Sequence, residues 1–162
     1  MIVRLAGALL LIGGSVGLSA CYARFESRRV GQSEGFLLLL RHVRAQIACF
    51  HMPLARVWET FSCPELERCG FLPALRETGD FAAALERCRR GVWASADEMT
   101  LLRAFGSEIG RSYLEEQISC CDYYIGEFES AYARHRTERP ARARLFRCLC
   151  VTGGLMLVIL LL

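Results

Sequence analysis

The stretch LEEQISCCDYYIGEFESAY, residues 114–132, carries the clearest periodic pattern in the chain. Its apolar residues recur at intervals of four and three, a spacing that places side chains along one side of an α-helix. The pattern therefore predicts a long helix that buries one face against a partner. The residues on this seam are Leu114, Ile118, Cys121, Ile125, Phe128 and Tyr132.

A second seam earlier in the chain supplies that partner. The same 4-3 spacing lets two long helices pack side by side at a small crossing angle. No alternation of apolar and polar residues runs long enough to predict a strand. The sequence therefore predicts an all-α fold, an antiparallel helical bundle. The residues of the second seam are Phe36, Leu40, Val43, Ile47 and Phe50.

Helix ends are marked by prolines and by segments of helical period. Pro53 is predicted to end the first long helix, with His51 serving the helix end or the turn. Shorter helices are predicted at residues 80–90 and within residues 94–110. Pro140 is predicted to separate the last helix of the bundle from the C-terminal tail.

Polar pairs and glycines predict how those helices are capped. A hydroxyl and a carboxylate three residues apart satisfy free amides at a helix start, and a glycine supplies a left-handed C-terminal cap. The two tryptophans, Trp58 and Trp93, are predicted to anchor the core. The candidate capping boxes are Ser62 with Glu65 and Ser95 with Glu98, and the candidate glycine caps are Gly70 and Gly91.

Both ends of the chain are apolar. Between Arg4 and Arg24 lie 19 uncharged residues, which as a helix span about 28 Å, close to the ~30 Å hydrocarbon core of a bilayer. The 15 residues after Arg147 are also uncharged, and as a helix they span about 22 Å. Starting this second segment at Leu145 lengthens it by one further turn.

Arginines lie on the inner side of both apolar segments. They follow the first segment at Arg24, Arg28 and Arg29, and they recur before the second segment. Arginines next to a membrane segment favour the cytoplasmic side. The predicted organisation is a transmembrane helix at residues 4–23, a cytoplasmic helical bundle at residues 24–144 and a transmembrane helix at residues 145–162.

An alternative follows from the residues Leu18-Ser19-Ala20-Cys21, which resemble the lipobox of a bacterial lipoprotein signal peptide. On this alternative the protein is an exported lipoprotein with a helical domain, lipidated at Cys21. The arginines that follow immediately oppose export. An uncleaved membrane anchor is therefore the preferred interpretation.

The sequence contains no recognisable catalytic or metal-binding constellation. All 20 basic residues are arginine, which excludes the lysine of a Walker A motif, and no GxSxG marks a nucleophile elbow. The nine cysteines form no CxxC pair, and the histidines complete no zinc signature. A net charge of +3 is too small to indicate nucleic-acid binding. We expect no enzyme, cofactor, metal, nucleic acid or small-molecule substrate; a redox-responsive protein using the cysteines is a further alternative.

Three stretches together resemble the stage III sporulation protein AB family of endospore-forming bacteria. LLLLRHVRAQIACFHMPLARVWETF, residues 37–61, looks like the family's first cytoplasmic helix and its aromatic-His-x-Pro-Leu turn. LLRAFGSEIGRSYLEEQI, residues 101–118, is similar to its Phe-Gly-x-x-Leu-Gly segment followed by Gln. GGLMLVILLL, residues 153–162, resembles its C-terminal membrane segment. The chain departs from the family at Ser112-Tyr113, where an acidic residue is common.

The resemblance implies a membrane protein of the mother cell, facing the forespore, with its central domain in the cytoplasm. It implies a non-enzymatic platform or adaptor of a secretion-like channel required for endospore formation. It further implies a domain similar to the helical F-type domain of type II secretion platform proteins. The expected partners are a secretion-type ATPase, stage III sporulation protein AA, and other membrane proteins of the channel.

The second of these stretches supplies the candidate packing or docking residues. Two of its glycines are four residues apart, so we expect them on one helical face, where they permit close approach of another helix. That helix belongs either to a partner or to the same domain. The candidate residues are Phe105, Gly106, Gly110 and Gln117.

Overall fold

The computed structural model of the protein describes the backbone of residues 2–111 and 113–161, and side chains chiefly between residues 24 and 134. Within these residues the chain is helical and contains no strand, which confirms the predicted all-α class. The helices are α1 (Ile2–Phe50), α2 (Leu54–Thr60), α3 (Pro64–Arg68), α4 (Phe71–Thr78), α5 (Phe81–Arg87), α6 (Ala96–Glu108) and α7 (Leu114–Leu161).

The chain divides into two compact units. One consists of Met1–Ser27 together with His135–Leu162, and the other of Arg28–Arg134, which we call the helical unit. Among the residues that the structure describes, no helix is both long enough and apolar enough to cross a membrane. The membrane helices predicted at residues 4–23 and 145–162 fall mostly on side chains outside the described set, and they stay predictions.

Helices α1 and α7 run antiparallel through the helical unit. Tyr132 donates a hydrogen bond to Glu34. Arg41 pairs with Glu129 at 2.6 Å and, further along α1, Arg44 pairs with Asp122 at 2.7 Å. Residue numbers thus rise along α1 while they fall along α7. The two ion pairs are half-exposed, so we attribute alignment of the helices to them rather than much stability.

The predicted seams are largely buried. In α1 the first four seam residues are at most 3% exposed, and in α7 Cys121, Phe128 and Tyr132 are buried. Phe50 is an exception, with 67% of its surface exposed. The prediction is wrong there because α1 ends at this residue and the chain then turns away.

The buried faces are also wider than one 4-3 seam. Leu39 in α1 and Tyr124 in α7 are buried, whereas Ile125, which the seam favoured, is only half-buried. Short helices contact both long ones, as Phe71 of α4 does Phe36 of α1 and Phe105 of α6 does Tyr124 of α7, and a helix with more than one packing partner buries a broad stripe.

Aromatic rings join the short helices to the long ones. Four edge-to-face contacts, with ring centroids 5.0–5.8 Å apart, connect five helices in the order α1, α4, α5, α6 and α7. Such geometry is favoured by the ring quadrupoles and adds to the burial of apolar area. Trp58 is 2% exposed, as predicted for a core anchor, while Trp93 is half-buried. The rings that make these four contacts belong to Phe36, Phe71, Phe81, Phe105 and Tyr124.

The capping predictions are partly confirmed. Ser95 and Glu98 form the predicted capping box at the start of α6. The box predicted for Ser62 and Glu65 is wrong, since α3 begins one residue later behind Cys63 and the Ser62 hydroxyl lies 3.2 Å from a carboxylate oxygen of Glu67.

The glycine and proline predictions divide in the same way. Gly70 has a φ of 83° and provides the predicted left-handed turn after α3. Gly91 does not adopt a positive φ; glycine is needed there because a Cβ would lie 2.7 Å from the Cys69 carbonyl oxygen. Pro140 lies inside α7 and does not end the helix. A proline removes one main-chain donor, and here the helix continues on both sides of that gap.

Candidate functional site

Two of the segments singled out in the sequence meet at one end of the helical unit. The turn after α1 and the turn between α6 and α7 together line a surface depression of about 370 Å³, which we call the end groove. His51 of the first turn and Gly110 of the second both line the groove, although they are far apart in sequence. The groove is lined by Ile47, His51, Met52, Pro53, Leu54, Gly110, Leu114 and Gln117.

The first wall of the end groove is a tight turn. His51 adopts a positive φ of 50°, a region in which histidine is more frequent than most non-glycine residues. Its amide donates to the Ile47 carbonyl at 3.2 Å, closing the last turn of α1. Pro53 then starts α2, with its carbonyl accepting from the Arg56 amide at 2.9 Å. The prediction that His51 serves a helix end is confirmed.

The second wall is formed at Gly110. This residue has a φ of 83° and follows the end of α6, and a Cβ on it would lie 2.8 Å from Cδ1 of Leu54. Glycine is therefore required both by the backbone conformation and by the closeness of the first wall. The expectation that Gly106 and Gly110 share one helical face is wrong, because the left-handed residue lies outside the helix.

Phe105 and Gly106 lie in the core and not in the groove. The Phe105 ring is fully buried between those of Phe81 and Tyr124. A Cβ on Gly106 would lie 2.8 Å from Cδ1 of Phe81 and 3.1 Å from the amide nitrogen of Ala82, so α6 crosses α5 at this point. These two candidates pack within the helical unit.

Gln117 lies in the first turns of α7 and is half-buried at the groove. Its backbone amide donates to the backbone carbonyl of Tyr113 at 2.9 Å. Of the four candidate residues, the structure therefore brings Gly110 and Gln117 together and places the other two behind them in the core.

Exposed apolar residues flank the two turns that line the end groove. Phe50 and Tyr113, which adjoin its two walls in sequence, are 67% and 86% exposed, and Leu114 is also exposed. Exposed apolar side chains that gather around a depression are typical of a protein–protein contact surface. The sequence pattern misassigned Phe50 and Leu114 to the core, and it gave no sign that Met52 and Leu54 would line this surface.

The two adjacent cysteines of α7, Cys120 and Cys121, are poor nucleophiles. Burial raises the pKa of Cys121 to about 12 and, together with the nearby Glu108 carboxylate, raises the pKa of Cys120 to about 11. Burial also raises the pKa of Tyr124, whose hydroxyl donates to Glu108 at 2.9 Å, to about 12. At neutral pH these groups are protonated, and a thiol is far less nucleophilic than a thiolate. Among the described residues no three histidines, cysteines or carboxylates are placed to hold a metal.

The sequence matches the protein family described as stage III sporulation protein AB over residues 4–162, which is nearly the whole chain. No curated protein matches the chain, and no solved structure does.

Proposed function

Because the chain belongs to the stage III sporulation protein AB family, we propose that it is a non-enzymatic membrane platform of the secretion-like channel between mother cell and forespore. The family itself gives the chain a role in sporulation. The platform role extends this to a mechanical one, in which the helical unit links a membrane anchor to a secretion-type ATPase. The proposed location is the mother-cell membrane that faces the forespore.

The observation that carries the proposal is the end groove. It is lined by two turns between helices, exposed apolar residues flank those turns, and in the first turns of α7 the pKa values of Cys120 and Tyr124 are raised. Such a surface suits docking and offers no activated nucleophile. We propose that the groove receives an apolar element of a stage III sporulation protein AA-like ATPase.

The groove is also well placed for this role within the helical unit. It lies where α1 ends at Phe50, whereas the unit begins at Arg28. These two residues are 22 positions apart, which corresponds to about 33 Å along a helix. The groove is therefore separated by most of the length of the unit from the point where α1 enters it.

A leucine on the groove provides the direct test of docking. Replacing Leu114 with arginine is expected to lower the affinity of the detergent-purified full chain for the ATPase by about tenfold or more, the loss of one interface residue worth at least about 1.4 kcal/mol. Affinity is measured by titration of the labelled ATPase. The matched control is Leu38→Arg, because Leu38 is an exposed leucine on the outer face of α1. Equal affinities of both variants and the wild type would remove the groove from the proposal.

The topology of the chain tests the proposal that it is anchored in the membrane with the helical unit in the cytoplasm. Cys49 is exposed in the helical unit, so a variant that keeps only this cysteine is expected to react with a membrane-impermeant maleimide only after the cells are opened. Labelling in intact cells would place the unit outside and favour the lipoprotein alternative. The variant Cys21→Ser further separates the membrane anchor from the lipoprotein alternative. The size and membrane retention of this variant match those of the wild type unless Cys21 carries a lipid.

A further inference from the structure

The loop that follows α5 carries two arginines that form no ion pair with any carboxylate that the structure describes. Arg87 pairs with Glu77 at 2.9 Å, and Glu86 is taken by Arg103 at 2.8 Å. Arg89 and Arg90 are exposed, and no carboxylate of the described residues lies within ion-pair distance of either. Their charges are therefore available to an anion from outside the helical unit.

The loop is held in place by α1. The side-chain amide of Gln32, itself buried, donates to the Gly91 carbonyl at 3.0 Å, and its oxygen accepts from the Trp93 amide at 2.7 Å. Gly91 also lies close against the Cys69 carbonyl. The arginines project from a fixed loop, which lowers the entropic cost of ordering them around a ligand.

This loop lies at the end of the helical unit where the chain enters and leaves. The unit begins at Arg28 and ends at Arg134. Gln32 is four residues from the first boundary, and Tyr132, bonded to Glu34 of α1, is two residues from the second. The end groove lies at the other end of the helical unit, near Phe50.

Gln32, which holds the loop in place, lies close along the chain to the predicted membrane segment. It follows residue 23, the last residue of that segment, by nine residues. A half-buried tryptophan, Trp93, belongs to the loop, and tryptophan is enriched at the headgroup level of bilayers. The arginines border a surface depression of about 630 Å³.

We propose that residues 87–93, which we call the arginine loop, bind anionic phospholipid headgroups of the membrane that anchors the chain. The planar guanidinium forks of Arg89 and Arg90 match the geometry of a phosphate. An anionic leaflet attracts such cations within a Debye length of its surface. The inference rests on the proposed membrane anchoring, and it adds a second, headgroup-dependent contact that fixes the unit against the bilayer. An acidic protein is the competing partner, which the position of the loop and its tryptophan disfavour.

The test uses the full chain reconstituted in nanodiscs of phosphatidylcholine alone or with phosphatidylglycerol. Brominated acyl chains quench nearby tryptophan, and Trp58 is buried in the core, so the lipid-dependent change reports Trp93. Quenching is expected to be at least about twofold greater with phosphatidylglycerol and to fall at high salt, since exposed charges are screened. The variant R89E/R90E is expected to show only the phosphatidylcholine value.

The matched control is R56E/R111E, which makes the same charge change at two exposed arginines outside the loop. It is expected to keep the wild-type quenching. Equal quenching in both lipids, or the same response from both double variants, overturns the proposal. An effect of R89E/R90E on binding to the ATPase, without any effect on quenching, overturns it in favour of an acidic protein partner.

Failure of the anchoring is detected separately. If alkaline carbonate extracts the chain from phosphatidylcholine vesicles, the membrane part of the proposed function fails. Binding of the arginine loop to anionic headgroups is then tested by flotation of the full chain with phosphatidylglycerol vesicles. Flotation that is lost in R89E/R90E and kept in R56E/R111E supports the loop, and flotation that is unaffected by R89E/R90E overturns it.

Discussion

Replacing Phe128 with alanine is expected to lower the free energy of unfolding by about 3–5 kcal/mol, the usual cost of removing a buried phenylalanine. Phe128 lies on the inner face of α7, is 1% exposed and belongs to the main hydrophobic core. Truncation removes its apolar area and leaves a cavity that helices held by several neighbours cannot fill. Urea unfolding of the full chain in detergent, followed by circular dichroism, measures the change.

Two neighbours of Phe128 provide the controls. Ile125 is half-buried, so Ile125→Ala is expected to cost less than the 2–5 kcal/mol typical of a fully buried isoleucine. Glu127 is exposed, and Glu127→Ala is expected to stay within about 0.5 kcal/mol of the wild type. If Glu127→Ala unfolded the unit while Phe128→Ala did not, the rotation of α7 about its axis would have to be different.

Replacing Gly110 with leucine is expected to abolish the formation of heat-resistant spores. A leucine at a φ of 83° costs about 1–2 kcal/mol from the backbone alone, and its Cβ would displace Leu54 from the opposite wall of the end groove. The groove would be narrowed even where the unit stays folded. Spore counts after heating, compared with a strain that lacks the protein, measure the effect.

Gly126→Leu is the matched control for this change. Gly126 lies on an exposed face of α7, and a Cβ there meets nothing within 4 Å. Replacing a glycine inside a helix is expected to stabilise it by about 0.5–1 kcal/mol, and spore formation should persist.

The purified Gly110→Leu protein separates docking from packing. A folded variant that no longer binds the ATPase supports docking at the end groove. An unfolded variant indicates that the glycine is needed only for packing within the unit. A folded variant that binds the ATPase and still supports sporulation would remove this turn from the proposed function.

The sequence predicted which faces of the helices are buried and where some helices begin, but it predicted less well which residues contact each other in space. Burial of Val43 and Phe128 follows from a periodicity that any long amphipathic helix must have, and the Ser95–Glu98 box follows from local hydrogen bonding. Both depend on residues at most one or two helical turns apart. The predicted family is confirmed over residues 4–162, since several weak segments in the same order combine into a specific pattern.

The candidate site could be predicted only in part, because it depends on contacts between distant residues. The spacing of Gly106 and Gly110 suggested a shared face, but a positive φ at the second glycine ends the helix between them. The closeness of Gly110 to Leu54, 56 residues away, follows from how α2 and α6 pack in three dimensions. Phe50 was misplaced for a related reason, since periodicity does not show where the covering helices stop.

The antiparallel pairing of α1 and α7 has a consequence for the order of folding. Its side-chain contacts join residues 78, 88 and 98 positions apart, whereas α4, α5 and α6 pack against their neighbours in the chain. Contacts at such separation form late, because closing a long loop costs chain entropy before it is compensated. We therefore expect the short helices to pack together first during synthesis, and the unit to be completed only when α7 has left the ribosome. Until then the inner face of α1 is covered on one side only, and the nascent chain at this stage is the form most exposed to aggregation.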